Sequence, residues 1–172
     1  MHRATMIDVI TIEVRSPDAA ELRDAGRLTV AAYLADGHLE PGDDYGDWLG
    51  DTAGRAGGVL VATAGDTVLG AVTWCPPGSP HREVARTDDE GEFRALAVDP
   101  AHRGRGAARA LVEACLRRGR ELGLARIWLC SLTEMTKAHR LYESMGFRRV
   151  PERDWVPDDA PDLVLLAFCR EL

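Results

Sequence analysis

The residues with the greatest chemical promise lie in the run Leu96-Ala97-Val98-Asp99-Pro100-Ala101-His102-Arg103-Gly104-Arg105-Gly106-Ala107-Ala108. Strand-forming residues lead into a short turn free of bulky apolar side chains, and the turn leads into a helix-forming stretch. Such a junction offers unpaired backbone N–H groups and the positive end of a helix dipole to an anion. Gly104 and Gly106 permit close approach of the main chain, while Ala107 and Ala108 keep the first helical turn uncluttered. Arg103, Arg105 and Arg109 add positive charge. A plain strand-to-helix turn with solvated arginines would use the same residues, so the junction alone leaves both readings open.

Two familiar phosphate loops do not fit. A dinucleotide fingerprint should open the first βαβ unit of its domain and carry a third glycine. Here Gly104-Arg105-Gly106 follows four strand-like segments and has none. A Walker A loop needs Gly-Lys-Ser/Thr, and the lone lysine of the chain is Lys137. Metal chemistry is not expected: Cys75, Cys115, Cys130 and Cys169 are far apart, and no His/Asp/Glu/Cys spacing resembles a ligand set. His102 and His139 are expected to face solvent.

The elements that must position this turn can be read from periodicity. Ile7 to Val14 alternates apolar and polar residues as a half-buried strand does. Ser16 or Asp18 can cap the helix that follows, with Pro17 tolerated near its start. Leu39 to Gly58 is acidic and glycine-rich, with a short helix around Trp48 and Leu49. Val59 to Ala64 and Val68 to Cys75 read as strands joined by the turn Gly65-Asp66. Pro76 to Asp89 is a polar, proline-bearing loop. Glu92 to Val98 is a strand in which Glu92 shares parity with Arg94, Leu96 and Val98. Ala108, Leu111, Val112, Cys115 and Leu122 form one face of the helix after the glycine turn, and Gly123 suits its C-terminal cap. A strand (Arg126 to Leu132), a short helix (Thr133 to Met145) and strands at Phe147 to Val150 and Leu163 to Cys169 complete the order. That order implies an α/β (α+β) fold with a mixed sheet and helices on its faces, in one domain spanning residues 1–172.

The glycine turn resembles the R/Q-x-x-G-x-G/A signature of the GNAT (Gcn5-related N-acetyltransferase) superfamily, as Arg103-x-x-Gly106-x-Ala108. Leu-Ala-Val-Asp-Pro before it looks like the family's fourth strand. Ala138-His139-Arg140-Leu141-Tyr142-Glu143-Ser144-Met145-Gly146-Phe147, about 35 residues on, resembles the family's A-x-x-L-Y-x-x-x-G-F block. Leu34 to Gly58 and Cys75 to Gly91 match no pattern of the family.

The resemblance implies a mixed, mostly antiparallel sheet of six to seven strands, flanked by about four helices, with strands four and five splayed. It implies transfer of an acetyl group from acetyl-CoA to a primary amine by direct attack. The diphosphate would lie on Arg103, Gly104, Arg105, Gly106, Ala107 and Ala108. The pantetheine arm would pair with the main chain of Leu96, Ala97 and Val98. Tyr142 matches the family tyrosine that reaches the coenzyme sulfur; an ordinary phenol, protonated at neutral pH, can supply the departing thiolate. Glu92 matches a base glutamate of some members, though an ordinary carboxylate is a weak base unless desolvated. Other members carry the base in the middle of strand five, where this chain has Cys130, and Met135 stands where many have asparagine.

Composition narrows the partners. The chain has 172 residues, 45% of them hydrophobic and 28% charged, and a net charge of -7, which argues against a broad nucleic-acid face. No N-terminal signal pattern and no apolar run long enough for a membrane span is present, and the cysteine usage suits a reduced, cytoplasmic setting. The acidic stretch Asp36 to Asp47 suits a cationic small-molecule amine as acceptor. A protein N-terminus or lysine is the alternative acceptor, and an acyl-CoA-binding module without turnover the alternative function. A homodimer is an assembly the resemblance and the apolar final strand allow.

Overall fold

The structure, a computed structural model, describes residues 10–172. Ile7 to Val9 of the first expected strand lie outside the described residues; the strand seen is β1, Glu13–Arg15. Helix α1 (Ala19–Ala35) follows, then the short α2 (Asp44–Gly50) and a 3-10 segment, Ala53–Gly58. Strands β2 (Val59–Ala64), β3 (Thr67–Cys75) and β4 (Glu90–Val98) form an antiparallel meander. Helix α3 (Ala107–Glu121), β5 (Arg126–Leu132), α4 (Thr136–Ser144), β6 (Arg148–Arg149) and β7 (Leu165–Glu171) complete the chain. Among the described residues seven strands lie in the order β1-β2-β3-β4-β5-β7-β6, with β4 and β5 the one parallel pair.

Local chemistry explains the boundaries. Asp18, rather than Ser16, caps α1: its side chain accepts from the Ala20 and Glu21 amides, and Glu21 returns a bond to the Asp18 amide. This reciprocal box contributes about 1 kcal/mol. Gly123, at φ +68°, ends α3 as a glycine cap does. Gly65, at φ +57°, makes the β2–β3 turn.

The sheet carries helices on both faces. Leu111, Val112 and Cys115 of α3 pack with Leu60, Leu69, Val72, Trp74 and Phe93 on one face, where Tyr142 and Met145 at α4 join them. On the other, Ala25, Leu28 and Ala32 of α1 meet Val59, Val61, Ala71 and Ala97. Each buried leucine, valine or phenylalanine among them contributes about 1.5–3 kcal/mol of apolar transfer energy.

Strand β4 breaks its own alternation. Thr73 pairs with Arg94 and Ala71 with Ala97, so two residues of β4, Ala95 and Leu96, oppose the single Val72 of β3. Ala95 sits within this bulge at φ +51°, where alanine is uncommon. The strand parity expected from the sequence therefore fails. Glu92 and Arg94 share a face with Ala97, whereas Leu96 and Val98 return to the face of Phe93.

Candidate active site

β4 and β5 pair only from Glu90–Glu92 to Arg126–Trp128. Beyond Glu92 the two strands share no ladder, so the edge of β4 facing β5 is left without a strand partner from Phe93 to Val98. Uncompensated main-chain groups are costly unless something else pairs with them. A cavity of about 860 Å³ runs through this gap, lined on one side by Phe93, Leu129 and Tyr142 and on the other by Tyr33, Arg94 and Cys130. Leu96, Ala97 and Val98 line it too.

At one end of the gap stands the glycine turn. Asp99 folds its carboxylate back to accept from the Ala101 amide, shaping a 3-10 turn at Pro100–His102. Gly104 and Gly106 then adopt φ +78° and +90°, a region other residues reach only under strain. Gly106 is the N-cap of α3 and, having no side chain, supplies that helix with no capping oxygen. The contrast with the fully capped α1 is direct: the first-turn amides of α3 have no side-chain cap among the described residues. A Cβ built on Gly104 or Gly106 would meet nothing within 4 Å. Arg103, Gly104, Gly106, Ala107 and Ala108 line the cavity. Such a cradle of open backbone at a helix N-terminus fits a diphosphate.

The arginines are less uniform than the sequence suggested. Arg103 is held by Asp36, the C-cap of α1, through two bonds of 2.7 and 2.8 Å, and that pairing keeps the Asp36 carboxyl below its usual range. Arg109 donates to the Ser144 hydroxyl at 2.9 Å. Arg105 is exposed and does not line the cavity.

Tyr142 lies on α4 with only 5% of its surface exposed, inside a nest of Phe93, Phe147 and Phe168 whose ring centroids are 5.9–6.0 Å away. Burial pushes its phenol well above the usual range, so it stays protonated. Its hydroxyl makes no hydrogen bond to a described residue, and the residue forms part of the cavity wall.

Glu92 differs from the strand-end carboxylate expected. It is 0% exposed, and its Oε2 accepts from the amides of Glu83, Val84 and Ala85, each at 2.9 Å. Burial raises its pKa against the pull of those three bonds. It fastens the loop between β3 and β4 to the sheet and does not line the cavity. The wall in front of it is made by Arg94 and Cys130. Arg94 ion-pairs with Glu83 and donates to the His81 carbonyl at 3.1 Å. Its guanidinium lies 4.3 Å from the Trp48 ring centre, while Arg55 stacks on the same tryptophan at 4.2 Å.

The two histidines also depart from expectation. His139 is half-buried, 3.1 Å from the Ser131 hydroxyl and packed on Phe168, and burial lowers its pKa. His102 is turned toward Asp99, with Nδ1 3.4 Å from the carboxylate.

The model of the acetyltransferase (GNAT) family matches residues 23–147. The chain belongs to the GNAT acetyltransferase family. Among GNAT relatives, mycothiol acetyltransferase of Nocardiopsis dassonvillei is 36% identical over 90 residues, covering 52% of this chain and 27% of that protein. N-acetyltransferase 8B of Rattus norvegicus is 32% identical over 115 residues, covering 65% and 47%. The chain thus spans less than half the length of these relatives. PaiA N-acetyltransferase from Thermoplasma acidophilum, solved in complex with coenzyme A, matches with a TM-score of 0.70 at 12% identity, covering 94% of this chain and 99% of that one. The splayed, mostly antiparallel GNAT sheet expected from the sequence is the sheet found. Among the described residues, no helix is long and apolar enough to cross a membrane.

Sequence reasoning missed the apparatus at the other end of the gap. Tyr45 stacks on Trp48 with ring centres 5.6 Å apart and planes 7° apart, and Trp48 meets His81 edge-on at 6.1 Å. Helix α2 and the β3–β4 loop thereby meet above Arg94. The aromatic residues were visible, but their convergence depends on loop paths that carry no periodic signal.

Proposed function

We propose that this chain is an N-acetyltransferase that moves an acetyl group from acetyl-CoA to the primary amine of a small molecule. The observation that carries the reading is the continuity of one cavity from the uncapped amides of α3, along the unpaired edge of β4, to the wall formed by Tyr33, Arg94 and Cys130. A diphosphate would be held by the amides at Gly104, Gly106, Ala107 and Ala108, with Arg103 and Arg105 at its margin. A pantetheine arm would pair with the main chain of Leu96, Ala97 and Val98, as an added strand does.

The acetyl thioester supplies an activated carbonyl that a free amine attacks directly. A main-chain N–H of β4 would stabilise the oxyanion, since a fixed dipole costs no reorganisation as charge develops. Tyr142 is assigned the proton that the thiolate takes up: its hydroxyl has no acceptor among the described residues and stays protonated. Glu92, one layer behind Arg94 and Cys130, is assigned a supporting part. Its elevated pKa suits proton uptake, but an amine in the cavity would reach it only through an intervening group.

A small acceptor is favoured over a protein one by the ring contact between Trp48 and His81, which ties α2 to the β3–β4 loop beside Arg94. A polypeptide would need an open groove there. Thiol release tests the reading: acetyl-CoA is incubated with a panel of small amines and with lysine-bearing peptides, and free CoA is titrated. Release driven by small amines supports it. Release driven only by peptides sinks the acceptor assignment, and coenzyme-dependent stabilisation with no release sinks the enzymatic one.

A further inference from the structure

Three side chains from separate elements converge behind the cavity wall: Glu83 from the β3–β4 loop, Glu92 from β4 and Cys130 from β5. One carboxylate oxygen of each glutamate and the Cys130 sulfur lie within 4.8 Å of one another. Glu83 divides its oxygens, Oε1 toward Arg94 and Oε2 accepting from the Cys130 thiol at 3.3 Å. Glu92 commits Oε2 to three amides, but its Oε1 is buried with no hydrogen-bond partner among the described residues. A buried carboxylate oxygen without a donor is expensive, so this side of the cluster lacks a positive or protic group.

The charge count points the same way. Among the described residues, Arg94 is the one basic side chain ion-paired to either carboxylate. With both carboxylates ionised, as metal ligands must be, two negative charges face one guanidinium.

We propose that Glu83, Glu92 and Cys130 form a binding site for a borderline-soft divalent cation of the zinc type. Glu83 Oε2, Glu92 Oε1 and Cys130 Sγ are the ligands. The Cys130 thiol loses its proton to solvent as the sulfur–metal bond forms. Two carboxylates and a thiolate then balance Arg94 and a doubly charged ion. Cys130 lines the cavity, so the remaining coordination position opens toward it, as in zinc sites that keep a water. Sulfur in the ligand set selects Zn²⁺ or Co²⁺ over Mg²⁺. The ligand positions 83, 92 and 130 have no spacing that a sequence motif could carry, which is why the sequence implied no metal.

A bound ion would tie the loop to both strands, so binding is read without any use of catalysis. Chelator-treated protein is titrated with Co²⁺ while the near-ultraviolet sulfur-to-cobalt charge-transfer band is followed, and its melting temperature is measured with Zn²⁺ or Mg²⁺. The site predicts a band saturating at about one equivalent and a rise in melting temperature with Zn²⁺ that chelator reverses. Affinity should fall at least about tenfold in Cys130→Ser, which loses the band, and in Glu83→Gln. The proposal is overturned if the unaltered protein shows neither band nor stabilisation, if the band survives in Cys130→Ser, or if Mg²⁺ stabilises as well as Zn²⁺.

Discussion

Arg103 and Asp36 face each other through a two-pronged contact of 2.7 and 2.8 Å, joining the glycine turn to the C-terminal end of α1 across 67 positions of sequence. The pair is about 40% exposed on both sides, so its value to stability is small, at most about 1 kcal/mol. Its larger effect is electrostatic. Asp36 neutralises an arginine that would otherwise add its charge to the proposed diphosphate cradle.

Asp36→Asn should therefore tighten coenzyme A binding several-fold at low ionic strength, and the gain should shrink in high salt, where exposed charges are screened. Calorimetric titration at two salt concentrations checks this. Weaker binding at both would mean that Asp36 matters by orienting Arg103 rather than by masking it.

Tyr142→Phe removes a hydroxyl that bonds to no described residue and leaves the aromatic nest intact. Stability and coenzyme affinity should change little, while kcat should fall on the order of a hundredfold, the usual worth of a positioned general acid. A melting temperature, a binding isotherm and a steady-state rate together decide it. An unchanged kcat would remove Tyr142 from the chemistry.

Much of this was open to a sequence reader, for physical reasons that differ by element. Asp18, Gly65 and Gly123 act on their own neighbours through caps and turns, so their residue types announce them. The cradle is equally local, because Gly104 and Gly106 are needed for backbone conformations that few other residues adopt. The bulge at Ala95 was hidden, since alanine carries no mark of a positive φ, and it reversed the faces assigned to Leu96 and Val98. Glu92 was legible as a strand residue. Its burial depends on a loop that brings three amides to it from positions 83–85, and no periodicity encodes that path.

Buried carboxylates should leave a signature in the pH dependence of stability. Glu92 and Glu83 both have pKa values raised by burial, so the folded state holds protons that the unfolded state releases. Their contribution is present below the ordinary carboxylate value of 4.5 and is lost as pH rises above it toward the folded values. Glu21, lowered to about 2 by Arg15, acts in the opposite sense, and its contribution is lost as pH falls from 4.5 toward 2. Glu92→Gln should cost about 1–3 kcal/mol at neutral pH by weakening the loop anchor, and should flatten the decline above pH 4.5. Denaturant unfolding across pH 4–8 measures both, and an unchanged slope would contradict the Glu92 assignment.

The open amides at the start of α3 are the centre of the account, and Gly106 tests them most directly. Its φ of +90° means that alanine there is strained, costing on the order of 1–2 kcal/mol, while its Cβ enters open space rather than protein. Gly106→Ala should therefore remain folded, with coenzyme A affinity reduced at least tenfold in a calorimetric titration as the methyl group and the altered turn disturb the cradle. A folded Gly106→Ala protein that binds coenzyme A as tightly as the unaltered chain would contradict the account.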